Sequence, residues 1–205
     1  MKVVSASEEG IQQALEVLRT GGVVAHATET CYGLACDLQK PEAVEKLFAI
    51  KQRSPSQPVS ALFENIEQAK AFLDWNEKAS QMVSEHLPGP LTIILKLRHD
   101  APQILYVTPT TNNRSLTTIG LRISSHPTAR TLVEKFGSPL STTSANIHGQ
   151  PNTFSADDIE KQFADAEHTP DLILDDGLLK QEDASTVVDV SEGVLHVLRK
   201  GNIDV

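Results

Sequence analysis

Apolar residues recur at helical spacing through Ile11, Ala14, Leu15 and Leu18, after a short apolar start at 2–4 that reads as a strand. The period predicts a helix of about three turns, with Ser5 and Glu8 forming an S-x-x-E capping box at its start. Gly21-Gly22 ends that helix, and Val23-Val24-Ala25 reads as a buried strand leading into Thr28-Glu29-Thr30. Pro41 fits the first turn of a second helix, with Val44, Leu47 and Phe48 on one face and Lys51 a further turn along the same side. Lys51 therefore points with the core face, at the helix end. Residues 54–58 contain two prolines and read as a loop, and 59–63 returns as a strand.

Helical spacing resumes at Ile66, Ala69 and Phe72-Leu73, and again through Ala79, Met82 and Val83, until Pro88-Gly89-Pro90 forces a break. Strands are expected at 91–97 and at 119–123, the second carrying Arg122. Between them, 108–118 is polar and turn-rich and reads as an exposed, mobile loop. Pro127 opens a helix with Ala129, Leu132, Val133 and Phe136 on one face, closed by Gly137. Strands at 172–174, 186–190 and 194–198 finish the sheet, the last two joined as a hairpin.

At 205 residues and 40% hydrophobic content, one sizeable core is expected, hence one domain over 1–205. Aromatic residues make up only 4%, so the core must be aliphatic, which suits a buried sheet covered by helices and favours an α/β class. A net charge of −9 opposes a large nucleic-acid footprint. Between 155 and 192 the only Lys or Arg residues are Lys161 and Lys180, and this acidic stretch reads as a solvated surface. The chain begins without an apolar leader and has no run of membrane-spanning length, so a cytoplasmic protein without membrane partners is expected. Cys31 and Cys36 have neither C-x-x-C spacing nor a histidine cluster beside them, so no metal site and no disulfide is expected.

Four candidate stations for chemistry remain. Thr28-Glu29-Thr30 offers two hydroxyls and a carboxylate at a strand end, where open α/β sheets bind ligands; strand propensity alone also explains threonines there. Lys51 and Arg53, two apart in an extended exit from a helix, would lie on one side and clamp phosphates, or simply compensate the helix dipole. Arg122 sits inside an apolar strand and needs an anion, either a structural carboxylate or that of a substrate. The run 141–146 places hydroxyls after a strand start and reads as a phosphate- or ribose-binding loop or a plain Ser/Thr turn. Neither G-x-x-x-x-G-K-[ST] nor G-x-G-x-x-G is present, and G-x-S-x-G is missing too. His26, His126, His148 and His196 show no ligand spacing and read as structural or surface residues.

Taken in order, A-T-E-T-C-Y-G-L at 27–34, K-Q-R at 51–53, P-G-P-L-T at 88–92, G-L-R-I-S-S-H-P at 120–127, T-S-A-N at 143–146, A-S-T-V-V-D at 184–189 and L-R-K-G at 198–201 resemble the YrdC-like family. Within it, the stand-alone threonylcarbamoyl-AMP synthases are the closest pattern. The resemblance implies a twisted mixed sheet with helices around a deep concave cationic cleft that takes ATP, L-threonine and hydrogencarbonate. It implies release of pyrophosphate and L-threonylcarbamoyladenylate, from which a transferase machinery modifies a tRNA adenosine beside the anticodon. By motif position, Thr30, Arg122, Thr142 and Ser185 would hold threonine. Lys51, Arg53, Ser144, Asn146, Asn152 and Arg199 would surround ATP, with Lys51 and Arg53 the catalytic cations. Magnesium would enter through the phosphates, since no carboxylate cage for it is visible.

Four positions depart from the family pattern. Ala27 stands for Pro before T-E-T, Leu62 for a histidine after the K-x-R loop, His148 for Ser in S-A-N-x-S-G, and Lys200 for Pro in L-R-P-G. Two other readings compete: a YciO-type relative without synthase activity, and a non-catalytic RNA- or ribosome-binding protein that uses the cleft as a phosphate cradle. Direct RNA binding, expected to be weak, belongs to that second reading.

Overall fold

In the computed structural model, which describes residues 1–54, 59–102 and 118–205, β1 (Lys2–Ser5) leads into α1 (Glu8–Arg19), and β2 (Val24–Ala27) turns back as β3 (Tyr32–Ala35). Next come α2 (Pro41–Lys51), β4 (Ser60–Leu62), α3 (Ile66–Phe72), α4 (Glu77–His86) and β5 (Leu91–Lys96). They are followed by β6 (Thr118–Arg122), α5 (Pro127–Phe136), β7 (Leu140–Ser144), α6 (Ala156–Gln162), β8 (Leu172–Asp175), β9 (Thr186–Asp189) and β10 (His196–Arg199). The strands join one mixed sheet in the order β1-β8-β2-β3-β7-β4-β6-β5-β9-β10, so the described residues make one α/β domain.

Helix ends follow local chemistry. Asn65, Asn76 and Ser155 accept from the amides of Gln68, Ala79 and Asp158 at 2.8, 2.8 and 3.1 Å, which satisfies donors the first helical turn leaves open. The cap of α1 is Ser7, whose hydroxyl accepts from Gly10 N at 3.2 Å; Ser5, expected in that role, is the last residue of β1. Gly137 closes α5 at φ 82°, a left-handed conformation that glycine adopts without steric cost. The expected loop at 54–58 and the expected mobile loop at 108–118 fall, apart from Ser54 and Thr118, outside the described residues.

Period-two alternation sorts the side chains onto two faces. On β6, Ile119 and Leu121 enter a large apolar core with Leu91, Ile93 and Leu95 of β5, Val188 of β9 and Ala61 of β4. The helices α2, α3, α4 and α6 supply its other wall through residues such as Leu47, Phe72, Met82 and Ile159. The opposite face is covered only in part. There α1 and α5 pack Leu15, Leu18, Leu132 and Val133 over Ala35, Leu62, Leu140 and Leu174. Two residues further along the same strands, Gly33, Ser60 and Thr142 line a pocket instead. The change from Leu, Leu and Ala to Ser, Thr and Gly on one face marks where the helices stop.

Candidate active site

The pocket on that open half-face has a volume of about 350 Å³. Three arginines line it, Arg53, Arg122 and Arg199, and among the described residues no aspartate or glutamate does. In a chain of net charge −9, a cavity of this charge concentrates positive potential where low-dielectric walls surround it.

Thr28-Glu29-Thr30 is not a strand end before a loop but the turn of the β2–β3 hairpin; the strand 32–35 was not expected. The Thr28 hydroxyl donates to Cys31 O at 2.6 Å and accepts from the amides of Thr30 and Cys31 at 3.3 Å, so it ties the turn together. Thr30 then faces the pocket, its hydroxyl 3.1 Å from that of Thr28. Glu29 turns to Arg122 and Ser124, accepting a hydrogen bond from each.

That ion pair supplies Arg122 with the structural carboxylate. The guanidinium also donates to Gly89 O at 2.5 Å and Leu91 O at 3.0 Å. Arg122 is only 4% exposed, and burial lowers its pKa, with the Glu29 charge opposing the shift. Three of its five N–H donors are thus used among the described residues, and the other two have no partner among them.

Lys51 points with the core face, as its helical spacing predicts, and therefore does not line the pocket beside Arg53 as a phosphate clamp would. Its ammonium is 3% exposed and donates to Ser144 O and Asn146 Oδ1, each at 2.6 Å, with Ser144 Oγ at 3.5 Å. Burial, helped by the charge on Arg53, pushes its pKa down to about 8. Lys51 and Asn146 lie behind the lining, whereas Ser144 and Asn152 are part of it. Lys51 and Arg53 are not joined by extended backbone either: Gln52 sits at φ 49°, ψ 43° and swings the chain out of α2, so that Arg53 reaches the pocket while Lys51 stays inside. Ser141–Ser144 belongs to β7 rather than to a loop; Ser141 is buried, and Thr142, Thr143 and Ser144 all line the pocket.

At the other wall, Arg199 Nε and Nη2 donate to Ser185 O at 3.0 and 2.8 Å, and Nη2 to Ser185 Oγ at 2.9 Å. A bulge in β10 makes this reach. Val197 pairs with Val188, yet it is Arg199, not Leu198, that stands opposite the pocket-lining Val187. Eight of the ten residues expected at the site therefore converge on one cavity.

Sequence reasoning missed Ser60, Thr92, Thr118 and Gly120, which line the same cavity. A signal existed for three of them. In 118–122 Thr118, Gly120 and Arg122 alternate with Ile119 and Leu121, and Thr92 stands between Leu91 and Ile93, so Thr118, Gly120 and Thr92 are placed on the face away from the core. A Cβ on Gly120 would lie 2.4 Å from Ser60 Oγ and 3.0 Å from Thr92 Cγ2, so only glycine lets these two close over the floor.

Fold and pocket define an α/β protein that can hold anionic ligands over the open face of a mixed sheet. The Sua5/YciO/YrdC family model, described as "Telomere recombination", matches residues 16–201, and the chain belongs to that family. It is 30% identical over 160 residues to the threonylcarbamoyl-AMP synthase of Photobacterium profundum, covering 77% of this chain and 83% of the relative. By its name that relative is an enzyme, a synthase of threonylcarbamoyl-AMP. A crystal structure of P. abyssi Sua5 complexed with L-threonine superposes with a TM-score of 0.83 at 29% identity, covering 98% of this chain but 56% of that one. The crystal structure of E. coli YciO superposes with a TM-score of 0.82 at 26% identity, covering 99% and 96%. This chain thus spans little more than half of the Sua5 chain and nearly all of YciO.

Proposed function

We propose that this protein is an L-threonylcarbamoyladenylate synthase, using ATP, L-threonine and hydrogencarbonate and releasing pyrophosphate. The observation that carries the reading is the pocket lined, among the described residues, by three arginines and no carboxylate, and ringed by the hydroxyls of Thr30, Thr142, Ser144 and Ser185. Arg122 takes the threonine carboxylate with its two remaining donors, and Arg53 and Arg199 face the phosphates. Ser144 and Asn152 meet the nucleotide directly. Lys51 acts one step back, holding Ser144 and Asn146 in place.

The chemistry asks mainly for positioning. The threonine ammonium loses a proton, and its nitrogen attacks the carbon of hydrogencarbonate, giving a carbamate and water. A carbamate oxygen then attacks the α-phosphorus of ATP, and the bond to the pyrophosphate oxygen breaks. Both leaving group and transition state are anionic, so fixed cations in a water-poor pocket lower the barrier. Among the described residues no cluster of three His, Cys, Asp or Glu side chains could hold a metal ion, so magnesium would come with the phosphates. The product is a mixed anhydride, and a separate transferase carries its threonylcarbamoyl group to the tRNA adenosine beside the anticodon.

Pyrophosphate release from ATP that requires both L-threonine and hydrogencarbonate tests this reading. Its absence from folded protein would sink the assignment and leave the YciO-type reading, since YciO shares the fold over nearly the whole of both chains. Arg53→Ala is expected to lower turnover by about 100- to 1,000-fold, as loss of one preorganised donor does elsewhere, while thermal unfolding stays nearly unchanged.

A further inference from the structure

Register and hydrogen-bond polarity beside Arg122 give a role to Thr92, which closes P-G-P-L-T at 88–92 and to which no site role was given. Thr92 follows Leu91 in β5, and the antiparallel pair Ile93↔Leu121 places it at the next rung, beside Arg122. The donation from Arg122 Nη1 to Leu91 O at 3.0 Å ties the guanidinium to the same stretch. Thr92 is 6% exposed and lines the pocket with Arg122.

Its orientation is fixed from two sides. The methyl Cγ2 faces Gly120, where an added Cβ would lie 3.0 Å away, and Oγ1 faces Ser185 Oγ at 3.1 Å. Counting protons then decides what the pair presents. Arg199 is donor-only, so its bond to Ser185 Oγ takes up a lone pair there and polarises the Ser185 hydroxyl. Two hydroxyls that share one hydrogen bond keep one O–H hydrogen between them. With the two remaining N–H groups of Arg122, that makes three donors side by side, one pair of them charged. Such a set complements a carboxylate and repels a cation.

We propose that Thr92 is a substrate-binding residue whose hydroxyl, backed by Ser185 and Arg199, donates to the amino-acid carboxylate held by Arg122. The identity of that amino acid, L-threonine, rests on the synthase reading. The arrangement also links the two halves of the site, because Arg199, which faces the phosphates, is the group that sets the Thr92–Ser185 pair.

Titration calorimetry with L-threonine and with L-threoninamide, whose carboxylate is replaced by a neutral amide, tests this without turnover. Thr92→Val is expected to weaken L-threonine by about 10- to 100-fold, the range for a hydrogen bond to a charged group, and to change L-threoninamide by less than about twofold. Thr92→Ser should restore threonine binding to within about threefold of wild type. In steady state the KM for threonine rises in the Val variant and kcat falls less. Wild-type threonine affinity in Thr92→Val, or an equal loss for both ligands, overturns the proposal; if that variant does not fold, the same criteria apply to Thr92→Ala. Wild-type protein that binds threonine without releasing pyrophosphate sinks the synthase reading alone, whereas folded wild-type protein that binds no threonine overturns both.

Discussion

His26 is fully buried, donates from Nδ1 to Ala27 O at 3.1 Å, and leaves Nε2 without a partner among the described residues. Burial pushes its pKa from 6.5 to about 4. The folded value lies below the unfolded one, so the unfolded chain takes up the proton first as pH falls. Stability attached to the neutral ring is therefore complete above about pH 6.5 and is lost down to about pH 4, on the order of 3 kcal/mol in all. His26→Phe, which keeps an aromatic ring and removes both nitrogens, should flatten this acid dependence. Urea midpoints compared near pH 7.5 and near pH 5 would show it, and an unchanged difference between the two would mean that other groups carry the acid lability. The sequence reading of His26 as structural agrees with this burial, because no ligand-spaced partner accompanies it.

Elements were legible where period and punctuation coincide. The faces of α1, α2 and α5, with their flanking Gly and Pro residues, were readable because one helix face and its ends are written locally. The strand β3 was not, since Tyr32–Ala35 is buried throughout and contains a glycine, leaving no alternation to see. The short α6 was hidden in an acidic stretch, with only Ala156 and Ile159 buried. The site was legible as a set of residue types but not as a geometry. Helical spacing puts Lys51 on the core face, but nothing local announces that Arg53 turns the other way, because the separation depends on Gln52 adopting a left-handed conformation. That conformation costs a non-glycine residue about 1–2 kcal/mol, of which glycine recovers part against its own unfolded-chain entropy. Gln52→Gly should accordingly raise stability by about 0.5–1 kcal/mol with Arg53-dependent turnover retained, whereas Gln52→Val should lower both. Chemical denaturation alongside pyrophosphate release measures this. Loss of stability in the glycine variant would show that the Gln52 side chain matters more than its backbone.

At the scale of the whole molecule, charge separates the synthase reading from the RNA-binding one. The chain carries −9 overall, while three arginines without a carboxylate line the pocket among the described residues. An approaching polyanion meets the outer field, which repels it, and only a ligand small enough to enter meets the cations. Raising salt from about 0.02 to 0.15 M shortens the screening length from roughly 20 to 8 Å, which weakens the repulsion outside more than the attraction inside the walls. Nucleotide affinity should therefore change by no more than about fivefold across this range. A protein that cradled RNA through several phosphate contacts would instead lose affinity steeply, with a log–log slope near −0.7 per phosphate neutralised on a single strand. Filter binding of unmodified tRNA and calorimetry of ATP over the same salt series distinguish the two. Weak tRNA binding with a nearly flat ATP series is the outcome expected of a small-molecule pocket. A slope steeper than about −3 for tRNA, with no threonine-dependent use of ATP, would reassign the pocket to nucleic acid despite the acidic surface around it.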